Sequence, residues 1–172
     1  FAFQTFGLES LVDIVTIGKL SQVCATLFTT EYKPKPGLIS QTFTSSTAAI
    51  EAALYIINEL QNGDYYGKNG KIKHIHTLFI EKFNALEKKY PTEVSGPYGH
   101  GGMIACTLFQ GNKEKTMRFL HQLFENGVIA FICGSDPLRL RLIPPLLALK
   151  DHHIDDIMLI VDQTIANILE TV

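Results

Sequence analysis

The sequence predicts an α/β fold, and three observations carry the prediction. Short apolar runs of strand length recur, as VDIVTI, MIACTLF, VIAFIC and LRLRLI. Longer segments place apolar residues every three or four positions. The two patterns alternate along the chain, which is the order expected of layered α/β structure. With 172 residues, 46% of them hydrophobic and 19% charged, the chain can fill one domain or parts of two and does not have a disordered composition.

The elements follow in order. Residues 12–17 read as a short buried strand that Gly18-Lys19 interrupts, with Lys19 at its carboxyl end. A second apolar run, Val23 to Phe28, leads into EYKPKPG, whose prolines and glycine make a loop. QTFTSST then precedes AAIEAALYIINEL, a helix from Thr47 to about Gln61 with Ser45, Ser46 or Thr47 positioned to cap it. Asn62 to Gly70 is turn-rich and marks a linker. Beyond it, Ile72, Ile75, Phe79, Phe83, Leu86 and Tyr90 share one helical face. SGPYGHGG is a glycine-rich approach to the strand MIACTLF, and KEKTMRFLHQLFEN is a helix stopped by Asn126-Gly127. VIAFIC and LRLRLI are strands divided by GSDP. A last helix carries Ile154, Ile157, Val161, Ile165 and Ile168 on one stripe, with Asp151, Asp155 and Asp156 toward its positive end.

This order gives residues 71–172 enough layers to bury a core of their own. Residues 1–61 have two strands, a long loop and one helix, too little to cover both faces of a parallel sheet, so they should pack against further protein. The formal charge of −2 offers no global positive field for nucleic acid or an anionic membrane, and no apolar run approaches the roughly 20 residues that a bilayer requires. Cys24, Cys106 and Cys133 form no C-x-x-C pair and sit in apolar stretches, so buried free thiols and a reducing, cytoplasmic setting are expected. His74 and His76 point about 200° apart on a helix, which argues against a shared metal.

Three features can carry chemistry. Lys19 follows a strand and a glycine, where open α/β sheets place ligand sites, and a lysine held away from water there can act as a nucleophilic amine. Between Gln41 and Thr47 five hydroxyl side chains crowd a helix start, as a phosphate site or as simple capping. Arg139 and Arg141 alternate with Leu140 and Leu142 in a strand, so both arginines share one face, where a guanidinium can clamp a carboxylate. An amine, a phosphate site and a carboxylate clamp are together what pyridoxal-phosphate chemistry on amino acids needs.

The segments DIVTIGK, QTFTSSTAAIEAA and RLIPPL, in this order and spacing, resemble class III aminotransferases of the ornithine, acetylornithine and ω-amino acid type. GPYGHGGMIA resembles a segment of the family's smaller domain, and the run after Lys19 is closest to lysine ε-aminotransferases. The likeness spans nearly the whole chain but only the carboxyl-terminal part of the family's usual length. It implies a fold type I enzyme: residues 1–61 would end the large, cofactor-binding domain, 62–70 would be a linker, and 71–172 would be the small α/β domain.

The resemblance also implies roles. Lys19 would be the Schiff-base lysine and proton shuttle, Thr42 would bind the phosphate of pyridoxal 5'-phosphate across a homodimer interface, and Arg141 would bind the substrate carboxylate. The reaction would move an amino group from an amino acid, possibly at its ω-position, to a 2-oxo acid. The family's Gly-Gly-Asn-Pro after the aromatic is here Thr44-Ser45-Ser46-Thr47. The family's acidic residue on the pyridine nitrogen and its ring-stacking aromatic belong to sequence ahead of residue 1, so the isolated chain is expected to transaminate very slowly or not at all. A same-fold decarboxylase or aminomutase, or a non-catalytic assembly module, are the alternative readings.

Overall fold

A computed structural model describes residues 1–38 and 46–170, which divide into two units, Phe1–Gly63 and a second beginning at Asp64. In the first unit, α1 (Ala2–Thr5) precedes β1 (Ile14–Ile17) and β2 (Ala25–Phe28). The two strands pair antiparallel, Ile14 opposite Phe28 and Ile17 opposite Ala25, so they form a local ribbon and not part of a parallel sheet. α2 spans Thr47–Asn62, and the Ser46 hydroxyl caps it by accepting from the Ala49 N–H at 3.2 Å. Ala53 is the only buried residue among the described residues of this unit, while Leu20, Leu54 and Tyr55 are exposed. A ribbon and one helix bury too little apolar surface to form a core, as the sparse element count suggested.

The second unit contains α3 (Lys71–Lys89), β3 (Val94–His100), β4 (Met103–Leu108), α4 (Lys113–Glu125), β5 (Phe131–Cys133), β6 (Arg139–Leu142) and α5 (Asp151–Glu170). Its strands form one antiparallel sheet in the order β3-β4-β6-β5. One face buries Ile104, Cys106, Leu108, Leu140 and Leu142 in the same cluster as Ile75, Phe79 and Phe83 of α3, Phe119 and Leu123 of α4, and Ile154, Val161, Ile165 and Ile168 of α5. The three-and-four spacing read from the sequence thus puts each of these helices' apolar faces into one core.

Two elements differ from expectation. SGPYGHGG is largely strand: β3 covers Val94–His100, with a register shift between Ser95 and Tyr98. Gly99, at φ +109°, lies so close to the Met103 carbonyl that a Cβ would collide with it, so the hairpin needs a glycine that also hides the strand pattern. β5 starts three residues late because Gly127 and Val128 close α4: their N–H groups bond Phe124 O and Leu123 O, both at 3.0 Å. Among the cysteines, Cys106 is buried and its thiol is pushed up by desolvation. Cys133 is half-buried, and Cys24, expected inside, is exposed because no layer of its unit covers it.

The end of α3 is clamped to α5. Lys89 Nζ donates to both Asp162 carboxylate oxygens at 2.8 and 2.7 Å, and the Tyr90 hydroxyl donates to Oδ1 at 2.8 Å. The hydrogen bond to Asp162, then that to Tyr90, raises the Lys89 ammonium. Burial, then the bond to Asp162, raises the Tyr90 phenol. A value raised by folding contributes stability that is complete below the unfolded value and is lost as pH climbs through the folded one. The clamp therefore holds at neutral pH and is lost only as pH climbs beyond the ordinary lysine and tyrosine values through the raised ones. Tyr90→Phe is expected to destabilise the protein by about 1 kcal/mol at neutral pH in urea unfolding. Its difference from wild type should shrink as pH rises past the phenol's ordinary range.

Candidate functional site

Lys19 is placed by a tight turn. β1 ends at Ile17, Gly18 stays extended at φ −173°, and Lys19 opens a 3-10 turn, Lys19–Ser21, with φ +61°. Gln22 closes the turn at φ +58°, donating its N–H to Lys19 O at 2.9 Å, and the Ser21 hydroxyl donates to Val23 O at 2.7 Å. The chain folds back so closely that a Cβ on Gly18 would stand 3.2 Å from Cys24 Sγ. Two non-glycine residues in the left-handed region, Lys19 and Gln22, make a strained turn of a kind that clusters at functional sites.

The Lys19 side chain is exposed, and no described residue bonds its ammonium. The expectation of a lysine held away from water is thus not met within this unit, whose only buried described residue is Ala53. Thr42, with Ser40 and Gln41 beside it, lies outside the described residues.

Arg139 and Arg141 belong to the second unit, and strand alternation acts on them as the sequence predicts. Leu140 and Leu142 are buried in the core, while both arginines are half-buried on the opposite face. Across the sheet, Tyr98 pairs with Ala105, Ala105 with Arg141, and Arg141 with Phe131, making one row. Ser95, Thr107, Arg139 and Cys133 make the next. The Arg139 guanidinium lies 5.2 Å from the Tyr98 ring centre and that of Arg141 5.8 Å from the Phe131 ring. The Tyr98 hydroxyl is itself held by Ser95 Oγ at 3.0 Å. Each arginine's Nε is buried without a hydrogen-bond partner, and among the described residues no carboxylate pairs with either guanidinium.

Both guanidinium planes thus rest on aromatic rings with an Nε donor unspent, an arrangement chemically able to bond an anion. The structure therefore brings Arg139 and Arg141 together, whereas Lys19 belongs to the other unit. Sequence reading missed the flanking aromatics Tyr98 and Phe131. Alternation within VIAFIC was the available signal for Phe131, but Tyr98 stands after the register shift that breaks alternation in β3.

His74 and His76 go to separate partners: His74 Nε2 meets Asp151 Oδ1 and His76 Nδ1 meets Gly101 O, each at 2.9 Å. Among the described residues no three His, Cys, Asp or Glu side chains gather as metal ligands, and no helix is long and apolar enough to cross a membrane.

Comparison with solved structures places the fold. A lysine aminotransferase from M. tuberculosis superimposes with a TM-score of 0.80 at 22% identity, covering 98% of this chain and 38% of its own. Ornithine delta-aminotransferase from Plasmodium falciparum gives 0.80 at 17% identity, covering 100% and 44%. Ornithine aminotransferase from Plasmodium yoelii gives 0.75 at 20%, covering 95% and 44%. The chain thus spans less than half the length of these structures. It has the mixed α/β architecture of fold type I pyridoxal-phosphate enzymes. No curated protein matches the sequence. The family described as aminotransferase class-III matches residues 1–165, a span that includes Lys19 and Arg141, and the chain belongs to that family.

Proposed function

We propose that this chain is the carboxyl-terminal part of a pyridoxal-phosphate-dependent aminotransferase that moves an amino group from an amino acid to a 2-oxo acid. The observation that carries this reading is the family match, which runs over residues 1–165 and so includes both the strained lysine turn and the arginine strand. Residues 1–61 would close the cofactor-binding large domain, 62–70 would link, and 71–172 would be the small domain. The donor would be a lysine- or ornithine-like amino acid, in keeping with the segment after Lys19.

The residues present fit the cofactor. Lys19 offers an amine with no partner among the described residues, and Arg141 offers an unspent Nε donor that no described carboxylate pairs with. Lys19 and Thr42 would hold the cofactor, by its aldehyde and its phosphate. When bound, the cofactor supplies an electron sink that stabilises negative charge at the substrate's amine-bearing carbon. Lys19 Nζ takes and returns the proton at that carbon. Arg141 would fix the substrate carboxylate with two parallel charge-assisted bonds. The exposed apolar residues of the first unit support a homodimer in which a second subunit and upstream sequence cover them. The cytoplasm would be the setting.

The test is product analysis of the full-length protein with lysine or ornithine, with and without a 2-oxo acid. Amino transfer predicts a new amino acid in equal amount to the donor consumed, formed only when the oxo acid is present. Carbon dioxide release, or isomerisation of the donor without an acceptor, would replace this reading with a decarboxylase or an aminomutase.

A further inference from the structure

The β3–β4 turn brings two histidines together against the start of α3. His76 Nδ1 lies 2.9 Å from Gly101 O. A carbonyl oxygen only accepts, so Nδ1 carries the proton of the neutral ring and Nε2 keeps a lone pair that no described residue uses. His100 stands next to that carbonyl in the chain, exposed, with neither ring nitrogen bonded to a described residue. The two ring centres are 5.9 Å apart, with planes inclined by 50°. Both rings line a cavity of about 290 Å³ together with Tyr65, Tyr66, Lys73 and Thr77.

A ring N–H given to a backbone carbonyl, with the other nitrogen left open, is the usual arrangement of a metal-ligating histidine. Two imidazoles that share one zinc-type ion at about 2.0–2.1 Å have ring centres about 5–6 Å apart, the separation seen here. The other four histidines are engaged elsewhere. His74 and His121 meet Asp151 and Glu125 through Nε2, His153 Nδ1 accepts the Lys150 N–H at 3.1 Å, and His152 packs edge-on against His153. Lys73 is the cation nearest in sequence, but it is exposed, and its long stem lets the ammonium turn to solvent.

We propose that His76 and His100 bind a divalent transition-metal ion of the zinc class, which ties the hairpin turn to α3. Water fills the remaining positions, because among the described residues no third His, Cys, Asp or Glu joins the pair. Imidazole ligands select zinc, nickel or copper over magnesium, which prefers oxygen. The site is separate from Lys19 and the arginine strand and does not depend on the reading of either.

The experiment follows the histidine ring-nitrogen signals of the 172-residue chain by nuclear magnetic resonance during titration with Zn²⁺ and with Mg²⁺. Zn²⁺ is expected to move the signals of His76 and His100 together, and Mg²⁺ to move neither. His100→Ala removes an exposed side chain and leaves the bond between His76 and Gly101 in place, so the fold should be kept, as backbone spectra report. That variant should bind Zn²⁺ at least about tenfold more weakly, since loss of even an outer partner of a ligand costs about 10–100-fold. Zn²⁺ should also raise the thermal midpoint of the wild-type chain, and raise that of His100→Ala much less.

Rings of His76 and His100 that do not answer Zn²⁺, equal responses to Zn²⁺ and Mg²⁺, or undiminished Zn²⁺ binding in His100→Ala would overturn the proposal.

Discussion

Replacing Lys19 by alanine is expected to lower amino transfer by the full-length protein by about 10⁴-fold, the upper range for loss of a positioned proton-transfer group. The argument begins with the backbone. Lys19 is held at φ +61° at the start of a tight turn, and its side chain leaves the turn without a bond to any described residue. Without Nζ the substrate carbon has no adjacent base, while Arg141 and the rest of the second unit are untouched. Donor binding should therefore change much less than turnover. Added small primary amines should restore part of the rate in Lys19→Ala, a rescue that a misfolded variant would not show.

The largest effect on stability is expected at Phe79. This side chain is 1% exposed at the middle of α3, in the cluster that also contains Phe83, Ile104 and Phe119. Phe79→Ala removes most of an aromatic side chain from a site walled by helices and sheet, and such truncations cost about 3–5 kcal/mol. Since whole domains are stable by about 5–15 kcal/mol, the variant should unfold at markedly lower urea or populate unfolded protein without denaturant. Thr77→Ala, on the exposed side of the same helix, should shift stability by less than about 0.5 kcal/mol. Equal effects at the two positions would mean that α3 does not bury the face described.

The helices were legible because burial writes itself into sequence at a period of 3.6. Ile75, Phe79, Phe83 and Leu86 are buried as their spacing requires, and Ile154, Val161, Ile165 and Ile168 likewise. β6 was legible for the same reason at period two, which is why Arg139 and Arg141 could be placed on one face before any coordinates. β3 was not legible, because Gly96, Pro97 and Gly99 read as loop residues and the register shift removes alternation. The pairing of strands was not legible either: a four-residue apolar run looks alike in a parallel sheet and in an antiparallel ribbon.

Of the candidate site, the lysine, the hydroxyl-rich segment and the arginines stood out by type and position. Their surroundings did not, since Tyr98 and Phe131 reach the arginines across strands far apart in sequence. Nor could sequence indicate that Lys19 would be exposed, which depends on how little the first unit covers.

The most direct measurement is peptide mass mapping of the full-length protein after incubation with pyridoxal 5'-phosphate and reduction with borohydride. The added cofactor mass is expected on the peptide containing Lys19 and to be absent from the same peptide in Lys19→Arg. Cofactor mass fixed to a different lysine, or to none while the protein still transfers amino groups, would contradict the assignment of this turn as the catalytic one.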